Sequence, residues 1–246
     1  MNSNTESLRL EMAPTGVLRA GINVGNPVIA QRDGGGGDPR GVGPALAALL
    51  AKQLGVPVRY VLFDTAGKLA DASKEDAWDV AFLAIDPARA VDIAFTDAYV
   101  HIEGTYMVPE DSPLRKIAHF DREGVKIAVG LKTAYDLFLT RELKNAQIVR
   151  EESSRAAIDL YLRGGLHAVA GVRQPLAAAA ATHAGHRVID ESFMVIRQAA
   201  GVPKGRPAAA RYLADFIEDA KASGFVARAL RKSGVGDVTV PPARQR

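Results

Sequence analysis

The first residue that points to chemistry is a single arginine, Arg89, in the stretch FLAIDPARAVDIAFTDAYV that runs from Phe82 to Val100. The apolar run that opens this stretch has no alternation, which is typical of a buried strand in a parallel sheet. Asp86 and Pro87 follow, with the residue types of a helix N-cap and first helical position, where main-chain N–H groups can bind an anion. The spacing therefore indicates a carboxylate site, to which Arg89 would add a bidentate pair.

A second interpretation of Arg89 stays open, because acidic residues lie close to it in the sequence. An ion pair with one of them would use the guanidinium group inside the protein and leave it no ligand role. The acids concerned are Asp86, Asp92 and Asp97.

Three further polar side chains follow predicted strands. Thr133, in GLKTAY, stands at a predicted helix start, where its hydroxyl would act as an N-cap or as a ligand contact. Asn23 and Asn26 follow the first predicted strand. Asparagine is common in turns, and its amide can also form hydrogen bonds with a ligand in a cleft, so both interpretations stay open.

Other chemistries find little support in the residues. GINVGNP lacks the G-x-G-x-x-G spacing and GGGGDPRGVG lacks the Gly-Lys-Ser/Thr ending of a phosphate loop, so both are interpreted as turns. The five histidines form no clear ligand cluster, and no serine stands in a G-x-S-x-G context. The sequence therefore predicts no metal site and no cofactor, and it shows no evident catalytic nucleophile.

The composition narrows the classes of partner. The 31 basic and 28 acidic residues give a net charge of +3, and the basic residues are scattered, which argues against nucleic-acid binding. The absence of cysteine excludes disulfides and thiol nucleophiles. No apolar run approaches the length that spans a bilayer, so direct membrane insertion is not expected.

Apolar patterns and turn residues predict two successive sets of strands and helices. The first set has strands at 17–22, 56–62 and 79–85 and helices at 45–54, with Pro44 at the first helical position, and at 65–76. The second set, after Gly104, has strands at 126–129, 147–149, 167–171 and 187–189 and helices at 133–143, 153–162 and 174–183. The end of the chain has an extended segment at 193–200, helices at 207–223 and 225–232, and a tail, VPPARQR, that is predicted to fray.

This repetition predicts an α/β fold of two lobes with a cleft for a small ligand between them. The two closing helices have no strands of their own and are expected to pack on the first lobe, which makes the second lobe an insertion. The predicted boundaries are 15–102 plus 196–246 for lobe 1 and 103–195 for lobe 2.

The order of the segments resembles the type II periplasmic solute-binding proteins, and within them the polar amino-acid group of bacterial ABC importers, extracellular solute-binding family 3. The resemblance covers Thr15 to about Val235 and is carried by VLRAGIN, GVGPALAALLAKQLGVPVRYVLFD, WDVAFLAIDPARAVDIAFTDAYV, GTYMVPEDSPL, VKIAVGLKTAYDLFL and GFVARALRKSGV. It implies two Rossmann-like α/β lobes joined by two hinge strands, the Venus-flytrap arrangement that closes around a ligand.

The resemblance also implies a ligand site. Arg89 would bind the carboxylate of the ligand, and the other residues would surround it from the turns after the strands. The residues assigned in this way are Arg89, Asp86, Ala84, Thr133, Ala134, Asn23 and Asn26.

Two positions depart from the family pattern. Asp86 and Pro87 stand where small hydroxyl residues are common, and no acid stands in the segment 170–174, where members that bind α-amino acids present one. An α-ammonium group would therefore lack its usual partner. Arg173, with Gln174 beside it, would instead suit a second anionic group.

Three functions are compatible with these observations. The leading hypothesis is the non-enzymatic binding component of an ABC importer, with a small carboxylate-bearing solute (an amino acid or an organic acid) as ligand and a permease as partner. An enzyme similar to the cyclohexadienyl dehydratases would need a general acid, for which Glu103, Asp190 and Glu191 are available. A cytoplasmic sensor is the third.

The expected location depends on how the start of the chain is interpreted. The resemblance implies a periplasmic protein. The opening MNSNTESLRLEMAPTG lacks the pattern of a signal peptide, which predicts a cytoplasmic location if Met1 is the native start.

Overall fold

Parallel strands with helices between them form the core of the computed structural model, which describes residues 3–32 and 36–245. The α/β class predicted from the sequence is confirmed. Residues 34 and 35 of the predicted glycine-rich loop tip lie outside the described residues. The helices and strands in chain order are α1 (Ser3–Met12), β1 (Leu18–Asn23), α2 (Val42–Leu54), β2 (Val58–Phe63), α3 (Ala66–Asp71), β3 (Val80–Ala84), β4 (Ile93–Pro109), β5 (Lys126–Gly130), α4 (Ala134–Glu142), β6 (Gln147–Glu151), α5 (Ser154–Leu162), β7 (Ala168–Val172), α6 (Arg173–Thr182), β8 (His186–Val188), β9 (Met194–Pro203), α7 (Pro207–Ala222) and α8 (Phe225–Lys232).

The chain divides into two units. Unit 1 comprises Met1–His101 with Arg197–Arg246, and unit 2 comprises Ile102–Ile196. The chain passes from unit 1 to unit 2 inside β4 and returns inside β9, so each crossing lies within a strand. None of the helices in the described ranges is long and apolar enough to cross a membrane.

The sheet of unit 1 has the strand order β2-β1-β3-β9-β4. β1 pairs in parallel with β2 and with β3, and β3 pairs antiparallel with β9. All five residues of β3 are buried, as its uninterrupted apolar run predicts. Because β1, β2 and β3 run in the same direction, their carboxyl ends lie at one edge of the sheet.

Unit 2 repeats this arrangement. β5 pairs in parallel with β6 and with β7, and β4 pairs antiparallel with β7 and β8. A cluster of buried side chains that includes Met107, Tyr161 and Leu176 packs α5 and α6 against the sheet. The carboxyl ends of β5, β6 and β7 therefore also lie at a common edge.

Some element boundaries differ from those predicted. Pro44 is the third residue of α2, since the helix already begins at Val42; proline is tolerated there because the first turn needs no N–H donor. The predicted helix at 65–76 is shorter, with α3 followed by a 3₁₀ turn at Ala72–Glu75. α1 was not predicted from the sequence.

The C-terminal segment (residues 237–245) is ordered on unit 1, so the prediction that the tail frays is wrong. Thr239 and His101 exchange main-chain hydrogen bonds of 2.7 and 3.2 Å. The main-chain N–H of Arg244 donates to the Glu218 carboxylate at 2.6 Å, and its Nε pairs with Asp97 Oδ2 at 2.7 Å. The side chain of Arg244 is thus paired with an acid on β4, and its main chain is bound by an acid on α7.

His101, which receives this segment, is expected to make stability depend on pH. Burial, together with the positive charges of Arg197 and Lys221, lowers the pKa of His101 from its ordinary 6.5. The unfolded chain then binds this proton more tightly than the folded protein, so the stability is complete above the ordinary pKa and is lost as the pH falls through the lowered value. We expect the thermal unfolding midpoint, followed by circular dichroism, to fall between about pH 7.5 and 5.5. The fall should be about 1–3 °C larger for the wild type than for His101→Gln. Parallel pH profiles would contradict this expectation.

Candidate ligand-binding site

Arg89 is buried just beyond the end of β3. The residue is 5% exposed, and its Nη1 donates to the main-chain oxygen of Ala84, the last residue of β3, at 2.9 Å. Asp86 Oδ1 accepts the N–H of Ala88 at 2.9 Å and so stabilises the turn, but Asp86 is not the predicted helix N-cap. The segment that follows is a 3₁₀ turn of three residues, Arg89–Val91, and its N-cap residue is Ala88. The turn thus holds Arg89 against the carboxyl edge of the sheet.

The positively charged guanidinium group of Arg89 is buried, and its pKa depends on the acids near it. Burial lowers the pKa of Arg89 to about 10, against the opposing effect of the negative charges of Asp86 and Asp71. The guanidinium group therefore stays protonated at neutral pH. Of the acids considered from the sequence, Asp92 pairs with Lys74 at 3.2 Å and Asp97 pairs with Arg244 at 2.7 Å. Of these three acids, Asp86, which is 4% exposed, is the one whose negative charge raises the pKa of Arg89.

Asn23 and Asn26 shape the turn after β1. Asn23 Oδ1 accepts the N–H of Gly25 at 2.9 Å, and Asn26 Oδ1 accepts the N–H of Val28 at 3.2 Å. The oxygens of both amides thus stabilise the turn, which is the structural role that asparagine commonly has in turns. The side-chain N–H groups take no part in these two bonds.

The parallel pairing brings these residues to the same edge of unit 1. Asn23 lies opposite Phe63 at the ends of β1 and β2, beside the end of β3 and its turn. Sequence reasoning missed two polar residues there, Asp64 and Thr65, which directly follow β2. Asp64 pairs with Lys68 at 2.7 Å, and the Thr65 hydroxyl caps α3. Their position immediately after a strand is the signal that would have found them.

Thr133 caps the helix that follows β5 in unit 2. Its Oγ1 donates to the main-chain oxygen of Gly130 at 2.8 Å and accepts the N–H of Asp136 at 3.1 Å. The predicted N-cap is therefore confirmed, and the hydroxyl is used inside the turn. Thr133 and Ala134, the first residue of α4, are 7% and 6% exposed. What this turn offers to a ligand is its main-chain N–H groups.

Arg173 is engaged within unit 2. It is the first residue of α6; its Nε donates to Glu103 Oε2 at 2.5 Å, and Nη1 donates to the main-chain oxygen of Ile189 at 3.0 Å. Nη2 donates to the main-chain oxygen of Asp190 at 2.8 Å and to Ser192 Oγ at 3.0 Å. All three guanidinium nitrogens thus have hydrogen-bond partners within unit 2. Few N–H donors remain for the second anionic group that the sequence predicts. Gln174 follows in α6 and is half-buried.

Hydrogen bonds in unit 2 also engage two of the acids considered for catalysis, Glu103 and Glu191. Hydrogen bonds from Ser192 and Arg173 lower the pKa of Glu103, so this carboxyl group is ionised and cannot donate a proton at neutral pH. Glu191 Oε2 accepts the main-chain N–H of Ile117 at 2.7 Å. Within residues 3–32 and 36–245, no group of three or more His, Asp or Glu side chains could hold a metal ion.

Similarity to known proteins agrees with this architecture. The sequence model of the bacterial extracellular solute-binding proteins, family 3, matches residues 18–234. A search of curated protein sequences gives no significant match. A cysteine-binding protein from Campylobacter jejuni superposes with a TM-score of 0.79 at 21% identity, covering 96% of each chain. An amino acid ABC transporter substrate-binding protein from Streptococcus pneumoniae bound to L-arginine has a TM-score of 0.77 at 16% identity, covering 94% of this chain and 98% of that one.

One similar structure is related to an enzyme. An ancestral amino acid-binding protein, a precursor of cyclohexadienyl dehydratase, has a TM-score of 0.75 at 25% identity and covers 90% of this chain and 97% of that one. These likenesses establish the fold that presents the two edges described above.

Proposed function

Because the chain belongs to the bacterial extracellular solute-binding proteins, family 3, we propose that it is the ligand-binding component of an ABC-type importer. Its ligand is a small carboxylate-bearing solute, an amino acid or an organic acid. The observation that supports a carboxylate group in the ligand is the buried Arg89 at the carboxyl edge of the unit 1 sheet, where ligands of open α/β sheets bind.

On unit 1, the proposed ligand contacts are Arg89 and the turn from Asn23 to Asn26. The proposed partner of the liganded protein is the permease of the importer. Membership of an extracellular family supports a periplasmic location and a permease partner.

A dehydratase on the same fold is the less well supported alternative. The ancestral relative speaks for it, but the state of Glu103 speaks against it, since its lowered pKa leaves no proton to donate at neutral pH. Incubation with prephenate or arogenate, followed by product analysis, separates the two functions.

The test of the carboxylate ligand compares acids with their decarboxylated analogues by calorimetry and thermal shift. The panel contains L-arginine with agmatine, L-lysine with cadaverine, L-cysteine with cysteamine, and succinate as an organic acid. At a hundredfold excess over its Kd, a bound acid should raise the unfolding midpoint by about 5–10 °C. The amine partner of that acid should not bind, because it has no carboxylate for Arg89. Equal binding of an acid and its amine, or no binding by any acid, would contradict the proposal.

A further inference from the structure

Gln198 is a buried glutamine at the carboxyl edge of the unit 1 sheet. In the antiparallel pair of β3 and β9 it lies opposite Ala84, the last residue of β3. The pairing continues one step further, where the N–H of Ile85 donates to the main-chain oxygen of Arg197 at 2.9 Å. Because the Nη1 of Arg89 donates to the main-chain oxygen of Ala84, Gln198 and Arg89 belong to the same edge of the same unit.

The surroundings of the Gln198 side chain are apolar. Gln198 is 5% exposed, and the next two residues of β9, Ala199 and Ala200, are fully buried. Ala84, on the neighbouring strand, is 4% exposed. Residues directly opposite in an antiparallel pair share one face of the sheet, so the glutamine lies beside the methyl group of Ala84. An apolar side chain would suit this position without the cost of burying an amide.

The side-chain amide of Gln198 forms no hydrogen bond with the residues that the structure describes, 3–32 and 36–245. A glutamine amide offers two N–H donors and one carbonyl acceptor. Burying such a group without a hydrogen bond costs free energy, and the large majority of buried polar side chains therefore have a partner. The unpaired amide thus indicates a partner from outside this chain.

Arg89 defines which part of a ligand this amide can reach. Directly opposite residues of an antiparallel pair have Cβ atoms about 4.5–5.5 Å apart, so the Gln198 side chain starts close to Ala84, on which Arg89 is held. A ligand group bound by Gln198 therefore lies near the carboxylate and not at the far end of the molecule. Because Arg89 already supplies N–H donors for the carboxylate, the new contribution of the amide is its acceptor oxygen.

We propose that Gln198 is a specificity-determining residue of the ligand site, whose amide oxygen accepts an N–H or O–H group on the ligand carbon next to the carboxylate. The acceptor is neutral, so it suits a hydroxyl group as well as an ammonium group. The proposal rests on the proposed function and narrows its ligand to the 2-amino and 2-hydroxy acids.

Calorimetry with matched acids that differ only at this carbon tests the proposal. The pairs are L-lysine with 6-aminohexanoate, L-arginine with 5-guanidinopentanoate, L-cysteine with 3-mercaptopropionate, and L-malate with succinate. In the pair that the wild type binds best, the first acid should bind at least about 10-fold more tightly than the second, because the second leaves the buried amide unpaired. Equal Kd values within every pair would contradict the proposal.

Variants of Gln198 show whether this preference depends on the amide. Gln198→Met keeps an unbranched side chain of similar length but removes the acceptor, so the ratio of the two Kd values should fall below about 3-fold. Gln198→Glu keeps acceptor oxygens, so the ratio should stay at or above about 10-fold even if the added charge weakens the binding of both acids. An unchanged ratio in Gln198→Met would remove Gln198 from the site.

The matched control is Gln53→Met, which changes an exposed glutamine of α2 in the same unit. It should leave the Kd of each acid unchanged within about 2-fold. A ratio that falls in this variant as far as in Gln198→Met would contradict a specific role of Gln198.

Thermal denaturation without ligand examines the unpaired amide directly. Because the amide has no partner within the described residues, Gln198→Met should unfold at the wild-type temperature or above it. A midpoint lower by more than about 3 °C would show that the amide stabilises the protein itself, which would overturn the proposal.

The outcomes separate the role of Gln198 from the proposed function. If the wild type binds acids but prefers neither member of any pair, the role of Gln198 alone is wrong. If the wild type binds none of these acids, the proposed function fails, and the role of Gln198 in it fails as well.

Discussion

Replacing Arg89 with methionine is expected to weaken the binding of a carboxylate ligand at least about 100-fold, as measured by isothermal titration calorimetry with the tightest acid of the panel. Methionine keeps an unbranched, apolar side chain in the buried position but removes the charge and the two parallel N–H donors. The ligand carboxylate would then leave water without a cationic partner, which is costly at a site where the arginine is only 5% exposed.

Two further variants make this result specific. Arg89→Lys keeps the charge but not the planar fork, so it should bind with intermediate affinity. Arg211→Met changes an exposed arginine of α7 and should leave the Kd unchanged within about 2-fold. A folded Arg89→Met protein that binds within about 3-fold of the wild type would remove Arg89 from the site.

The second large effect concerns stability and lies away from the ligand site. Asp79 is fully buried in unit 1, where its carboxylate accepts hydrogen bonds from two arginines. Oδ1 accepts Arg19 Nη2 at 2.7 Å and Arg206 Nη1 at 3.0 Å, and Oδ2 accepts Arg19 Nε at 3.0 Å. The hydrogen bond to Asp79 is also the largest cause that raises the pKa of Arg19. Asp79→Ala should therefore lower the free energy of unfolding by about 3–5 kcal/mol, because both arginines lose their buried partner and keep only Asp76, whose side chain is 69% exposed.

Urea denaturation followed by circular dichroism measures this loss. Asp215→Ala, an exposed aspartate of α7 in the same unit, is the control and should change the free energy of unfolding by no more than about 0.5 kcal/mol. A loss below about 1 kcal/mol for Asp79→Ala would mean that the two arginines find other partners or water.

Most of the fold could be predicted from local sequence patterns. The uninterrupted apolar run of β3 and the capping residue Thr133 each specify an element through contacts close in sequence. The match to the family confirms the resemblance identified from these segments. β4 is harder to predict, because no residue near Gly104 indicates that a single strand of 17 residues continues past this glycine.

The candidate site was less predictable because its charges are matched over long distances in the sequence. Thr133 is predicted correctly as a capping residue, since a cap depends on neighbours within three residues, whereas Asp86 stabilises only the turn before a 3₁₀ segment. Arg173 was assigned to the ligand, yet its ion-pair partner Glu103 lies 70 residues away, and a single sequence contains no sign of that pairing. Likewise, the helix α1 has polar residues without a clear apolar period, so no pattern indicated it.

The C-terminal segment has a consequence for how the protein behaves at high concentration. In unit 1, β4 is the last strand in the order of the sheet and is therefore an edge strand. An edge strand presents unpaired N–H and C=O groups that another extended chain can bind. Thr239 occupies these groups at His101, and Arg244 places a charge beside Asp97 a few residues earlier on the same strand. The C-terminal segment thus covers part of this edge strand, and we expect it to disfavour edge-to-edge aggregation.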